Sequence, residues 1–149
     1  MKKIILVPLA VVVFSSCNTT KPTAEVSKPT TETKDQVVKY EILSESAYQG
    51  REEKSFEVIK DNTSLLKLYQ DINDTKVPKV DFSKSRIVAL FLGQRNSGGY
   101  SIKVKNIEEK GNKIIITTQE IAPDGMATMS ITNPFTILKI NSTKEIIIL

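Results

Sequence analysis

The chain has 149 residues with 21 basic and 17 acidic side chains, a formal charge of +4, one cysteine and no histidine. The missing imidazoles exclude Ser-His-Asp and Cys-His catalysis and histidine metal ligands, and a single thiol excludes an internal disulfide. Lysines are scattered among glutamates rather than gathered in blocks, so nothing marks a nucleic-acid partner.

At the N-terminus, Lys2 and Lys3 precede an apolar run, residues 4–14, of the length of a signal-peptide core rather than a membrane span. The run stops at Phe14-Ser15-Ser16-Cys17, which resembles the lipobox of bacterial lipoproteins, with Phe14 where that pattern more often has Leu. The resemblance implies a signal peptide over residues 1–16 and lipidation of Cys17, which also accounts for the lone thiol. The alternative is an ordinary secretory signal with a coincidental cysteine. Acyl chains on Cys17 would hold the protein on a membrane, each buried methylene contributing about 0.8 kcal/mol. Loss of Lys2 and Lys3 lowers the formal charge to +2. Asn18-Thr19-Thr20 carries no acidic run, and the expected location is the cell envelope, on an outer membrane facing the periplasm.

Residues 17–36, rich in Thr, Pro and Lys, have no apolar period and are expected to form a disordered tether with a reach of about 25 Å. Residues 37–149 are the size of one domain. Val38, Tyr40 and Ile42 alternate along the first strand pattern and share one face; Phe56 and Val58 mark a second strand. Leu65, Leu68, Tyr69 and Ile72 then recur at helical spacing, with Asp61, Asn62 or Thr63 available as the cap, which predicts one helix near 63–73 packed on a sheet. Residues 86–93 are almost continuously apolar, as in a central strand covered on both faces.

Tyr100, Ile102 and Val104 alternate with polar residues, and residues 113–121 follow the turn Lys110-Gly111-Asn112. After Pro123-Asp124-Gly125, a strong turn signal, come strands over 134–140 and 145–149. The expected class is α+β: a mainly antiparallel meander of about six or seven strands with one helix. Up-and-down order places the turn at residues 95–99 and the loop at 122–133 at one end of the sheet.

Candidate sites for chemistry are few. Glu52-Glu53 and Glu108-Glu109 are adjacent on strands or turns, so their carboxylates diverge. Residues 93–99 lack the Gly-Lys-Ser/Thr ending of a phosphate loop and precede a strand. Residues 71–76 lack the glycine and distal glutamate of a calcium loop. The expectation is therefore no catalytic site, no metal and no cofactor. Met126 and Met129 are either soft partner contacts or residues tucked under the sheet.

Val80-Asp81-Phe82, the apolar strand ending in Gly93, Gly98-Gly99-Tyr100 opening an alternating strand, and Pro134-Phe135 leading into the last long strand stand in the order of the C-terminal domain of the PrcB family, which this chain resembles over about residues 55–141. Ser97 stands where that family often has Thr, and there is no Trp in the helix. The resemblance implies a non-catalytic accessory lipoprotein that docks on an envelope protease. Arg95, Asn96 and Tyr100, set by Gly98 and Gly99, are the candidate partner contacts, together with Met126 and Met129. Two other readings stay open. One is a protease inhibitor, because Asn96-Ser97-Gly98-Gly99-Tyr100 and Asn133-Pro134-Phe135 bear some resemblance to the loops of chagasin-like inhibitors; the other is a structural envelope lipoprotein without a dedicated partner. The segment 96–99 itself reads as a hairpin turn, with Tyr100 starting the inward face of the next strand.

Overall fold

A computed structural model describes residues 38–149. The expected signal peptide, Cys17 and the expected tether lie outside the described residues. Seven strands and one helix follow in the order β1 (Tyr40–Ser46), β2 (Ser55–Ile59), α1 (Asn62–Asp71), β3 (Arg86–Phe91), β4 (Ser101–Lys110), β5 (Lys113–Ile121), β6 (Phe135–Ile140) and β7 (Glu145–Ile148).

The α+β class holds, but the sheet is not a single meander. Two sheets form, with strand orders β1-β6-β3-β2 and β4-β5-β7. β3 therefore pairs with β2 and β6, not with the β4 that follows it. β7 returns to β5 in parallel, where a meander would have every pair antiparallel. Residues 96–99 are consequently part of a crossover between sheets rather than a hairpin. The physical reason is that β3 and β6 are apolar on both faces: each needs a layer above and below, which a one-faced meander cannot supply.

Those two layers are α1 and the three-stranded sheet. On one side Ile87, Ala89, Phe91, Phe135 and Ile137 meet Leu65, Leu68, Tyr69 and Ile72 from and just beyond the helix. On the other, Val88, Leu90, Leu138 and Ile140 meet Ile102, Ile114 and Ile116, with Val104, Ile146 and Ile148 around them. The helix forms as its spacing requires, and Asp61 caps it by accepting a bond from the Ser64 backbone N–H at 2.8 Å. The carboxyl of Asp61 lies below its usual value, chiefly through that bond. A lowered folded-state pKa adds stability above the unfolded value, and this contribution disappears as the pH falls through the folded one.

The sheets are also joined by a polar bond. Thr136 on β6 is buried, and its hydroxyl donates to the Ile102 carbonyl of β4 at 2.7 Å. Thr136→Val keeps the shape but leaves that carbonyl unsatisfied, and is expected to cost about 1–3 kcal/mol in urea unfolding.

The first strand keeps its alternation up to Ile42, with Tyr40 and Ile42 opposite Ile140 and Leu138 on the face of Val38. Val38 is buried, but Tyr40 and Ile42 are 45 % and 51 % exposed. β1 sits at a sheet edge, which leaves these two side chains uncovered, while Leu43 on the opposite face packs on the helix-side core and the register shifts beyond Ile42. The hairpin from β4 to β5 forms as expected, closed by Gly111 at φ +62°.

Candidate functional site

Antiparallel pairing of β3 with β6 sets Phe91 opposite Phe135. The chain leaving β3, residues 92–100, and the chain entering β6, residues 122–134, must therefore emerge side by side. They cross between the sheets in opposite directions, and they are bonded to each other. Arg95 and Thr132 exchange both backbone bonds, at 2.8 and 2.9 Å, and the Gly98 N–H donates to the Thr128 carbonyl at 2.9 Å. The buried Thr132 hydroxyl donates to the Ser97 carbonyl at 2.8 Å. Residues 47–54 join them: the Gly50 N–H donates to the Asn133 carbonyl and the Gln94 N–H to the Glu52 carbonyl, both at 2.8 Å. The shared end read from the sequence is thus present, made by β3 and β6 rather than by a meander.

Each residue singled out from the sequence can be placed at this end. Arg95 is engaged within the molecule: its guanidinium forms bonds of 3.0 and 3.1 Å to both carboxylate oxygens of Glu120 and donates to the Gln94 carbonyl at 3.0 Å. It also lies 5.6 Å from the centre of the Tyr100 ring. Glu120, at the end of β5, was not picked out by sequence reasoning, because no local spacing links it to Arg95. With both side chains partly exposed, a double-mutant cycle of Arg95→Ala and Glu120→Ala is expected to give a coupling of about 0.5–1 kcal/mol that shrinks in high salt.

Tyr100 packs beside Ile102 and Val104 on the inward face of β4, and its other side lines a shallow cleft of about 260 Å³ with Glu45, Lys103, Phe135 and Thr136. Asn96 is exposed. Gly98 and Gly99 are spacers: a Cβ on Gly98 would collide with the Thr128 hydroxyl, and one on Gly99 would stand 2.7 Å from Pro123 Cβ. Gly99 alone of the two has a positive φ, +86°. Met126 and Met129 are fully exposed, which removes the reading that tucked them under the sheet. Ile131, not picked out from the sequence, is exposed beside them.

Groups with displaced pKa values lie elsewhere: besides Asp61, Asp81 is lowered by the Ser83 hydroxyl and N–H, Glu108 by the Lys110 ammonium, and Tyr69 is raised by burial. All four are accounted for by a cap, a turn, a neighbouring lysine or the core. No grouping of three or more His, Cys, Asp or Glu suited to a metal occurs among the described residues.

What the fold and this end define is an α+β domain that displays loops from two stacked sheets. Residues 86–141, the stretch from β3 to β6 with both crossovers, match the family model described as PrcB C-terminal. The resemblance to the PrcB family is thereby shown over the segment that builds the loop end. Val80-Asp81-Phe82 and α1 lie outside the matched residues. The chain is also similar to an uncharacterized protein of Methanocaldococcus jannaschii, 35 % identical over 60 residues, which is 40 % of this chain and 37 % of that one. The chain thus spans little more than a third of that relative's length. No solved structure gives a significant match.

Proposed function

We propose that the protein is a non-catalytic, lipid-anchored component of the cell envelope, held at Cys17 on the periplasmic side of an outer membrane, that binds another protein through its loop end, as an accessory subunit of an envelope protease complex. The observation that carries this reading is the apolar tip formed by Met126, Met129 and Ile131, exposed on a loop that the protein braces from beneath. Exposed apolar side chains gathered on one loop are an interaction surface in want of a cover, and methionine adapts to the surface it meets. The match to the PrcB C-terminal family over residues 86–141 adds support, because the resemblance to that family implies a subunit that docks on a protease.

The test is affinity purification of the full lipidated chain from crosslinked cells, comparing the natural protein with a Met126→Asp, Met129→Asp variant. Stability is expected to change by less than about 0.5 kcal/mol, as for other surface substitutions, while recovery of the crosslinked partner falls about tenfold or more. Undiminished recovery would remove the loop from the interface. If nothing crosslinks to either form, the protein has no dedicated partner and is a structural envelope lipoprotein.

A further inference from the structure

Resting on the reading that the loop end binds protein, the geometry points to the way the loop is gripped: residues 126–131 enter, as an extended substrate-like segment, the apolar cleft of an endopeptidase.

Three observations lead there. First, the polarity of the segment is inverted. From Met129 to Thr132, exposure alternates with period two: Met129 is 99 % and Ile131 67 % exposed, whereas Thr132 is buried and Ser130 partly so. Alternation of this kind is that of an extended chain, whose i and i+2 side chains share a face. Here it is the apolar pair that faces solvent, while Thr132 faces the protein and the half-buried Ser130 hydroxyl donates to the Ile131 carbonyl. An edge built for water has the opposite order. Second, the segment is held from below at both ends and left free between them. Thr128 is fixed by Gly98, and Thr132 by Arg95 and Ser97, while no backbone bond to another part of the described chain engages the main chain of residues 129–131. The conformation is set before any partner arrives, which lowers the entropic cost of docking. Apart from the Ile131 carbonyl, which accepts from the Ser130 hydroxyl at 3.4 Å, these main-chain groups are open to a partner's strand, the mode in which extended peptides are read.

Third, shape and charge select the kind of partner. Three exposed apolar side chains on one loop bury little area against a flat partner, whereas a specific interface takes roughly 800 Å² from each side. A concave partner that surrounds the tip can bury it. The loop, residues 122–134, carries no basic residue and a single acid, Asp124. An acid-lined cleft that takes lysine or arginine is therefore excluded, whereas a neutral or weakly basic cleft with a pocket for a long apolar side chain fits Met126 or Met129. Endopeptidases with apolar primary pockets present such clefts to extended main chain.

The test uses the purified full chain against three probe enzymes: subtilisin and chymotrypsin, whose primary pockets are apolar, and trypsin, whose pocket is acidic. The expected result is competitive inhibition of at least one of the first two at micromolar concentration and none of trypsin. Met129→Asp combined with Ile131→Asp is expected to weaken that inhibition about tenfold or more. Leu66→Asp, which changes an exposed apolar side chain on α1 away from the loop, is expected to leave it unchanged. Absence of inhibition at 100-fold above about 1 µM, inhibition indifferent to the loop substitutions, or equal inhibition of trypsin would each overturn the proposal. These outcomes separate from the accessory-subunit reading. If crosslinked partner recovery depends on Met126 and Met129 while no cleft is occupied, the loop binds protein in another way; if a cleft is occupied while no partner crosslinks in cells, it is the envelope complex that falls.

Discussion

Phe91→Ala is expected to lower the free energy of unfolding by about 3–5 kcal/mol, the range for removing a large buried ring. Phe91 ends β3 and is fully buried in the helix-side core. Its ring stands 6.0 Å from that of Phe135, the residue opposite it on β6. The Arg51 guanidinium lies 4.4 Å from the ring centre and bonds to Glu57 at 2.9 Å and to Asp71, the last residue of α1, at 3.0 Å. Truncation therefore opens a cavity where β3, β6, the helix end and the loop at 47–54 converge, and it also takes away the aromatic face under a cation. Urea unfolding should show a lower midpoint with an unchanged slope. Phe91→Leu, which keeps most of the volume, should cost well under half as much. Equal losses for Leu and Ala would mean that ring stacking, not filled volume, holds this corner.

Gly99→Ala is expected to cost about 2–4 kcal/mol and Gly125→Ala about 1–2 kcal/mol, the strain of a side chain in the left-handed region being common to both. The two glycines have nearly the same φ, +86° and +93°. They differ in their surroundings: a Cβ on Gly125 meets nothing within 4 Å, whereas one on Gly99 would press on the Pro123 ring. The difference between the two variants therefore measures how tightly one crossover lies on the other. Identical costs, read from thermal and urea unfolding, would mean that Gly99 serves only its own backbone angles. In the Gly99 variant the outer loop must also lift away from the crossover beneath it, so recovery of a crosslinked partner is expected to fall along with stability.

What the sequence disclosed and what it concealed divide along physical lines. Elements whose signal is local were legible: the Asp61 cap and the stripe Leu65, Leu68, Tyr69 and Ile72 encode a helix by spacing alone, and Gly111 closes a hairpin within a few residues. The burial of residues 87–91 on both faces was legible too, because an unbroken apolar run admits few other environments. The choice of strand partner was not. Period two says which side chains share a face, but it is silent on whether β3 joins the next strand or the one after two more. Tyr40 and Ile42 do share a face with Val38, opposite Ile140 and Leu138, yet stay exposed for a related reason: β1 is an edge strand, and a pattern of period two says nothing of what lies over its face.

The candidate site shows the same division. Its location could be inferred, since two loops had to share an end, and the exposed methionines stood out by type. The engagement of Arg95 with Glu120, 25 positions along the chain, could not, because only the crossing of the two sheets brings them together. Gly98-Gly99-Tyr100 accordingly changes meaning. It is the inner crossover that supports the outer one, while the side chains free to touch another molecule belong to residues 126–131.

The lacing of the two sheets also bears on how the chain reaches its fold. β4 and β5 can pair as soon as both exist, but β3, apolar from Ile87 to Phe91, has its partner β6 more than forty residues further on. During synthesis, residues 86–91 are thus made well before the strand that covers their open edge, and the loop closure joining them is long. In that interval they are a sticky unpaired edge, the kind of surface that aggregates or recruits chaperones. Once Phe135 to Ile140 slot in, both crossovers close together, so the loop end is also among the last parts of the domain to take shape.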